Sequence, residues 1–125
     1  MQNLRLPLMT KWFEMTKSGT KTEDYREITP YWINRLISKN FAYDCHECGI
    51  VDFDRIHIHL SACPNGFFKN FDKNIITLGY PKSTDSERIL EIEHKGIEIR
   101  NGNPEWGASP NKMYFVIKHG NILIR

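Results

Sequence analysis

The chain has 125 residues, 40% hydrophobic and 26% charged, which suits one domain with a real core and excludes wholesale disorder. Its formal net charge is only +2, so charge alone does not mark a polyanion-binding protein, though a local basic patch is compatible with it. No apolar run reaches the ~20 residues that span a bilayer, and "MQNLRLPLMTKWF" lacks the apolar core and cleavage site of a signal peptide. A soluble, cytoplasmic chain with no membrane partner is expected. Three cysteines, an odd number, argue against a secreted disulfide framework.

In chain order, Arg5 to Met9 ("RLPLM") predicts a short first strand, which Pro7 confines to an edge or an end. Met9, Trp12, Phe13 and Thr16 follow helical spacing, and Ser18-Gly19 closes that helix with a residue that accepts positive φ. Lys21 to Ile28 ("KTEDYREI") reads as a charged strand, with Thr22, Asp24 and Arg26 on one face and Lys21, Glu23, Tyr25 and Glu27 on the other. Thr29 is placed to N-cap a second helix that opens on Pro30 and buries Trp32, Ile33, Leu36 and Ile37. Residues 40–70 read as an irregular excursion, with "RIHIHL" a candidate short strand.

The rest is β in pattern. "NIITLGY" is one strand, and "RILEIEHKGIEIR" is another with a bulge near Lys95-Gly96. "NGNPEWGASPN" is a polar loop around Trp106, and "MYFVIKHGNILIR" predicts a hairpin turning at His119-Gly120-Asn121. The expected class is α+β, one domain over 1–125 with two N-terminal helices and a mostly antiparallel sheet.

Gly19-x-Lys21-x-x-Asp24-x-Arg26, on a strand that follows a helix, resembles the signature of the ASCH domain, within the PUA-like superfamily. Asp24 stands where most members carry Glu. "NFDKNIITLGY", "NGNPEWGA" and "MYFVIKHGNIL" resemble later stretches of small ASCH-like proteins of Bacteroidetes-type bacteria and phages. The resemblance covers Leu4 to Lys39 and Phe71 to Leu123. It implies a PUA-like pseudo-barrel of about five or six strands, with a cleft toward which Lys21, Asp24 and Arg26 point. Lys21 and Arg26 would hold a phosphate or polarise a carbonyl there, and Tyr25 or Trp106 would stack on a base. The expected ligand-binding set is therefore Lys21, Asp24, Tyr25, Arg26 and Trp106. The expected function is binding of RNA, a nucleotide or a modified base, with no cofactor. The competing bland reading makes Asp24 and Arg26 a structural ion pair.

Two other functions stay open. Some ASCH proteins hydrolyse acylated cytidines through Lys, a Thr three residues later and a distant Glu. This chain keeps Lys21, has Asp24 in the Thr position, and offers no match for the Glu. In such a hydrolase Lys21 and Asp24 would be the catalytic residues, Asp24 as general base and Lys21 at the oxyanion. The other is a phage or host accessory protein with a protein partner. Cys45, Cys48, His59 and Cys63 have near-knuckle spacing for Zn²⁺, but the second Cys-x-x-Cys is missing, and no metal site is assigned. His57 and His59 share one strand parity and read as an exposed face. Trp12, Phe13, Trp32 and Leu36 read as core.

Overall fold

The computed structural model describes residues 2–37 and 68–124. The possible zinc ligands Cys45, Cys48, His59 and Cys63, the His57/His59 pair and nearly all of the excursion lie outside these residues. The described elements are β1 (Gln2–Leu8), α1 (Thr10–Lys17), β2 (Glu23–Arg26), α2 (Pro30–Leu36), β3 (Phe71–Leu78), β4 (Ile89–Asn101) and β5 (Met113–Ile124). Short 3-10 turns occur at Ser86–Arg88 and Pro104–Trp106. The class is α+β.

The strands make one curled five-stranded sheet in the order β1-β3-β4-β5-β2. β1 runs parallel to β3, and the other three pairings are antiparallel. Pro7 sits on the edge strand β1, where its missing N–H costs no ladder bond. Leu4, Leu6 and Leu8 alternate inward along β1 and meet Phe13 of α1, Ile33 and Leu36 of α2, and Ile76, Leu90, Ile92, Phe115 and Ile117 of the central strands. Burying each such side chain contributes about 1.5–3 kcal/mol. Strand β5 is buried on both parities. Phe115 and Ile117 join the main core, while Tyr114 and Val116 pack with Ala108 and Tyr25 on the opposite face.

The helices follow the sequence reading with two corrections. In α1, Phe13 and Thr16 are buried and Trp12 is half-buried. Met9, expected on the buried stripe, is 75% exposed. It is the N-cap, with extended backbone at φ −75° and ψ 161°, so helical spacing does not set its direction. In α2, Thr29 Oγ1 accepts the Trp32 N–H at 3.4 Å, and Pro30 opens the helix. Ile37 is buried as expected but lies one residue past the helix, bridged to Phe68.

In the sheet, β2 is shorter than Lys21 to Ile28, and Lys21 precedes it. The bulge expected near Lys95-Gly96 is present, with pairing shifts from Glu91 to Ile97 and Gly96 at φ +107°. The hairpin expected at His119-Gly120-Asn121 is absent, because β5 runs unbroken from Met113 to Ile124. Gly120 serves close packing instead of a turn. A Cβ there would meet the Glu93 and Lys95 side chains, which reach over it from β4.

Candidate functional site

Curling brings the two edge strands toward one another, and α1 is the connection between them. At the seam, Arg26 of β2 donates from Nη2 to the Pro7 carbonyl of β1 at 2.9 Å. Beside that contact lies a cavity of about 440 Å³, within the ~300–1,000 Å³ range of small-molecule sites. Pro7 and Leu8 line it from β1, Trp12 from α1, and Asp24, Tyr25 and Arg26 from β2. Lys21 completes that wall, and the 104–109 loop supplies Trp106, Gly107 and Ser109.

Lys21 reaches the site because α1 ends sharply. Gly19 takes φ +83°, and the Lys21 N–H then turns back to the Met15 carbonyl at 3.0 Å. Strict strand parity would have put Lys21 on the face opposite Asp24. Lying before the strand, it instead donates from Nζ to Asp24 Oδ1 at 3.0 Å. Arg26 Nε donates to Asp24 Oδ2 at 2.7 Å, so both carboxylate oxygens are engaged. The side chains of Lys21 and Asp24 are 1% and 5% exposed. Burial works against ionisation of Asp24, but the Arg26 and Lys21 charges and hydrogen bonds outweigh it and hold the carboxyl below its ordinary value. Two cations thus share one buried anion. Lys21 makes one side-chain hydrogen bond among the described residues, leaving ammonium donor capacity at the cavity wall. The Arg26 guanidinium also lies 4.9 Å from the Trp32 ring centroid, a favourable cation–π distance.

The other face of β2 fixes the loop. Tyr25 donates to Glu23 Oε1 at 2.7 Å, and its oxygen accepts the Asn103 N–H at 2.8 Å. Glu23 in turn pairs with Arg100. Burial, then the bond to Glu23, pushes the Tyr25 phenol up to about 12. A Cβ at Gly102 would sit 3.0 Å from the Tyr25 ring, and one at Gly107 would sit 3.0 Å from the Trp12 indole. Glycine at both points lets the loop lie close on these rings. Gly107 also requires φ +100°, where a side chain would be strained. Outside the triad, the Glu27 charge on the rim is answered by Lys112 at 2.6 Å.

All five residues singled out from the sequence, Lys21, Asp24, Tyr25, Arg26 and Trp106, line this one cavity. The ion pair between Asp24 and Arg26, offered as the bland alternative, is also real, and the same pair forms part of the cavity wall. Trp12, read from the sequence as core, does pack against the core, and its place on the cavity wall was missed. Its helical spacing matches that of Phe13, and only the approach of Gly107 distinguishes it. Pro7, Leu8, Ser109 and Tyr114 were missed as well, since their place depends on how β1 and the loop meet β2. Among the described residues no group of three or more His, Cys, Asp or Glu is placed to hold a metal ion, and no described helix is long and apolar enough to cross a membrane. Compared with protein-family models, curated proteins and solved structures, the chain matches none.

Proposed function

We propose that the seam cavity binds a nucleotide, a modified base or a segment of RNA, and that the chain is an ASCH-like protein of the PUA-like superfamily. The observation that carries this reading is the buried Lys21 ammonium at the cavity wall, with spare donors and an excess of positive charge over Asp24. A phosphate or a base carbonyl answers both needs. Trp12, Tyr25 and Trp106 offer aromatic surface around the same volume, and stacking on such rings is worth about 1–3 kcal/mol per base.

Binding is favoured over hydrolysis by the state of Asp24. A general base needs a free lone pair and a proton affinity near the working pH. Asp24 has both oxygens held by cations and its carboxyl depressed. It therefore serves better as an anchor for Lys21 and Arg26 than as a base.

Isothermal titration against the common ribonucleotides and short single-stranded RNA tests the reading. Lys21→Met keeps the buried stem and removes the charge. Asp24 retains Arg26 as a partner, so the variant is expected to fold and to bind at least about tenfold more weakly, the loss of one charged hydrogen bond. Equal affinity for wild type and a folded Lys21→Met protein, or no binding by wild type to any of these probes, would remove the proposal.

A further inference from the structure

The cavity wall formed by Leu8, Met9 and Trp12 is shared with a second cavity of about 590 Å³. That space continues over Thr10, Lys11, Leu78 and Gly79, is mostly apolar, and has no acidic side chain among the described residues that line it. Among the described lining residues Lys11 is the one charged side chain, with Nζ 4.8 Å from the Trp12 ring centroid. Met9 is 75% exposed, and Tyr80, which follows Gly79, is 91% exposed. Met9 and Tyr80 thus offer apolar and aromatic contact area at and next to this cavity.

Its composition selects the occupant. A single strand of nucleic acid alternates flat, apolar-faced bases with phosphates, and proteins that hold one alternate stacking surfaces with cations. Trp12 is common to both cavities, and the Lys11 ammonium lies over its ring within the second one, so a strand passing from one space to the next would bring a phosphate near Lys11. No side chain caps α1 at this point, and its first turn carries no acidic residue to repel a phosphate. We infer that the second cavity is a subsite for the neighbouring nucleotide of a single-stranded nucleic acid, with Lys11 at the connecting phosphate. This inference rests on the nucleotide-binding reading of the main cavity.

Fluorescence anisotropy tests it with random-sequence short single strands, one pool of RNA and one of DNA, competed by a mixture of the common nucleoside monophosphates. At least one pool is expected to bind about tenfold or more tightly than the monophosphates. The two pools show which sugar the subsite accepts. Lys11→Gln should lower the slope of log affinity against log salt by about 0.7, one phosphate contact on a single strand, and leave monophosphate competition unchanged. Lys11→Glu should weaken pool binding further. It places an acid in the first turn of α1, where the helix dipole favours it, so loss of folding does not explain the effect. Pool and monophosphate affinities that are equal, or a salt slope unmoved by Lys11→Gln, overturn the subsite while the main site stands. Absence of binding to both kinds of probe overturns the two readings together. Changed self-association of Lys11→Glu in light scattering, with unaltered pool affinity, assigns the surface to a second copy of the chain and overturns the subsite.

Discussion

Asn74 on β3 is fully buried and joins two histidines from neighbouring strands. Its Oδ1 lies 2.7 Å from His94 Nδ1, and its Nδ2 lies 2.8 Å from His119 Nδ1 and 3.3 Å from the Lys118 carbonyl. A carbonyl only accepts, so it orients the amide NH₂ toward His119, whose Nδ1 is then the acceptor. Neutral His119 carries its proton on Nε2, which is buried and has no partner among the described residues. Burial lowers the His119 pKa to about 4 from 6.5. Nearby Asp24 and Glu23 work to raise it, and Lys21 and His94 work with burial. Burial lowers His94 as well. The sign follows: the unfolded chain binds more protons than the folded one between these pKa values, so stability is full above about 6.5 and is lost as pH falls toward 4. Asp24, whose folded pKa is below 3.8, adds its loss only at lower pH. Urea unfolding at a series of pH values should show this decline, and His119→Gln should flatten part of it. A stability that stays level from neutral pH down to the ordinary carboxylate range would contradict a neutral buried His119.

Two glycines that look alike in the sequence differ at the level of their elements. A Cβ at Gly120 would meet Glu93 Oε1 and the Cε and Cγ of Lys95, flexible side chains that can swing away. A Cβ at Gly102 would come within 2.5 Å of the Ala108 Cβ and 3.0 Å of the Tyr25 ring, and neither can yield without moving the loop. Gly102→Ala should therefore cost about 1–3 kcal/mol, as overpacking does, and Gly120→Ala less than ~1 kcal/mol. Thermal melts of both variants check the order, and equal losses would show that the loop does not press on Tyr25. This difference also marks where the sequence was readable. Local chemistry could be read directly, as with the Thr29-Pro30 cap and the bulge at Gly96, because each depends on residues within a few positions. The turn at His119-Gly120-Asn121 was misread because Gly-Asn is a hairpin signal in isolation. Long-range pairing with β4 keeps the strand going, through His94↔His119, Ile92↔Ile122 and Glu91↔Ile124. Strand parity alone puts Lys21 opposite Asp24 and fails for a related reason, since parity holds only inside a strand and the α1 terminus sets the course of Lys21. The five residues singled out from the sequence do share one cavity wall, and Trp12 was not among them, since nothing in helical spacing separates a half-buried wall from a core residue.

At the scale of the whole molecule, an open sheet has two edges, and both need protection from pairing with other chains. Here one residue links them. Arg26 leaves β2, engages Asp24 through Nε, and caps the Pro7 carbonyl on β1 through Nη2. Arg35 of α2 reaches the next outward carbonyl on the same edge, that of Arg5, at 3.4 Å. The seam thus closes through the Arg26 guanidinium where a barrel would use ladder bonds, and this is also what leaves room for a cavity between the strands. A lysine has one donor centre and cannot span both acceptors, whereas the arginine fork can. Arg26→Lys keeps the charge that Asp24 needs and should lose the link to Pro7, costing about 1.5–3 kcal/mol for a charged hydrogen bond. The loss should be local. β2 holds the sheet only through its short pairing with β5, from Glu23↔Lys118 to Arg26↔Phe115, whereas β3 and β4 pair on both sides. Hydrogen exchange in Arg26→Lys should therefore quicken across residues 21–26 and leave the β3–β4 amides as slow as before. Affinity for the proposed nucleotide or RNA ligand should fall with it, because the same movement displaces Lys21 and Asp24 from the cavity wall. Faster exchange spread evenly over all five strands would mean that Arg26 supports global stability and does not act as a clasp at the seam.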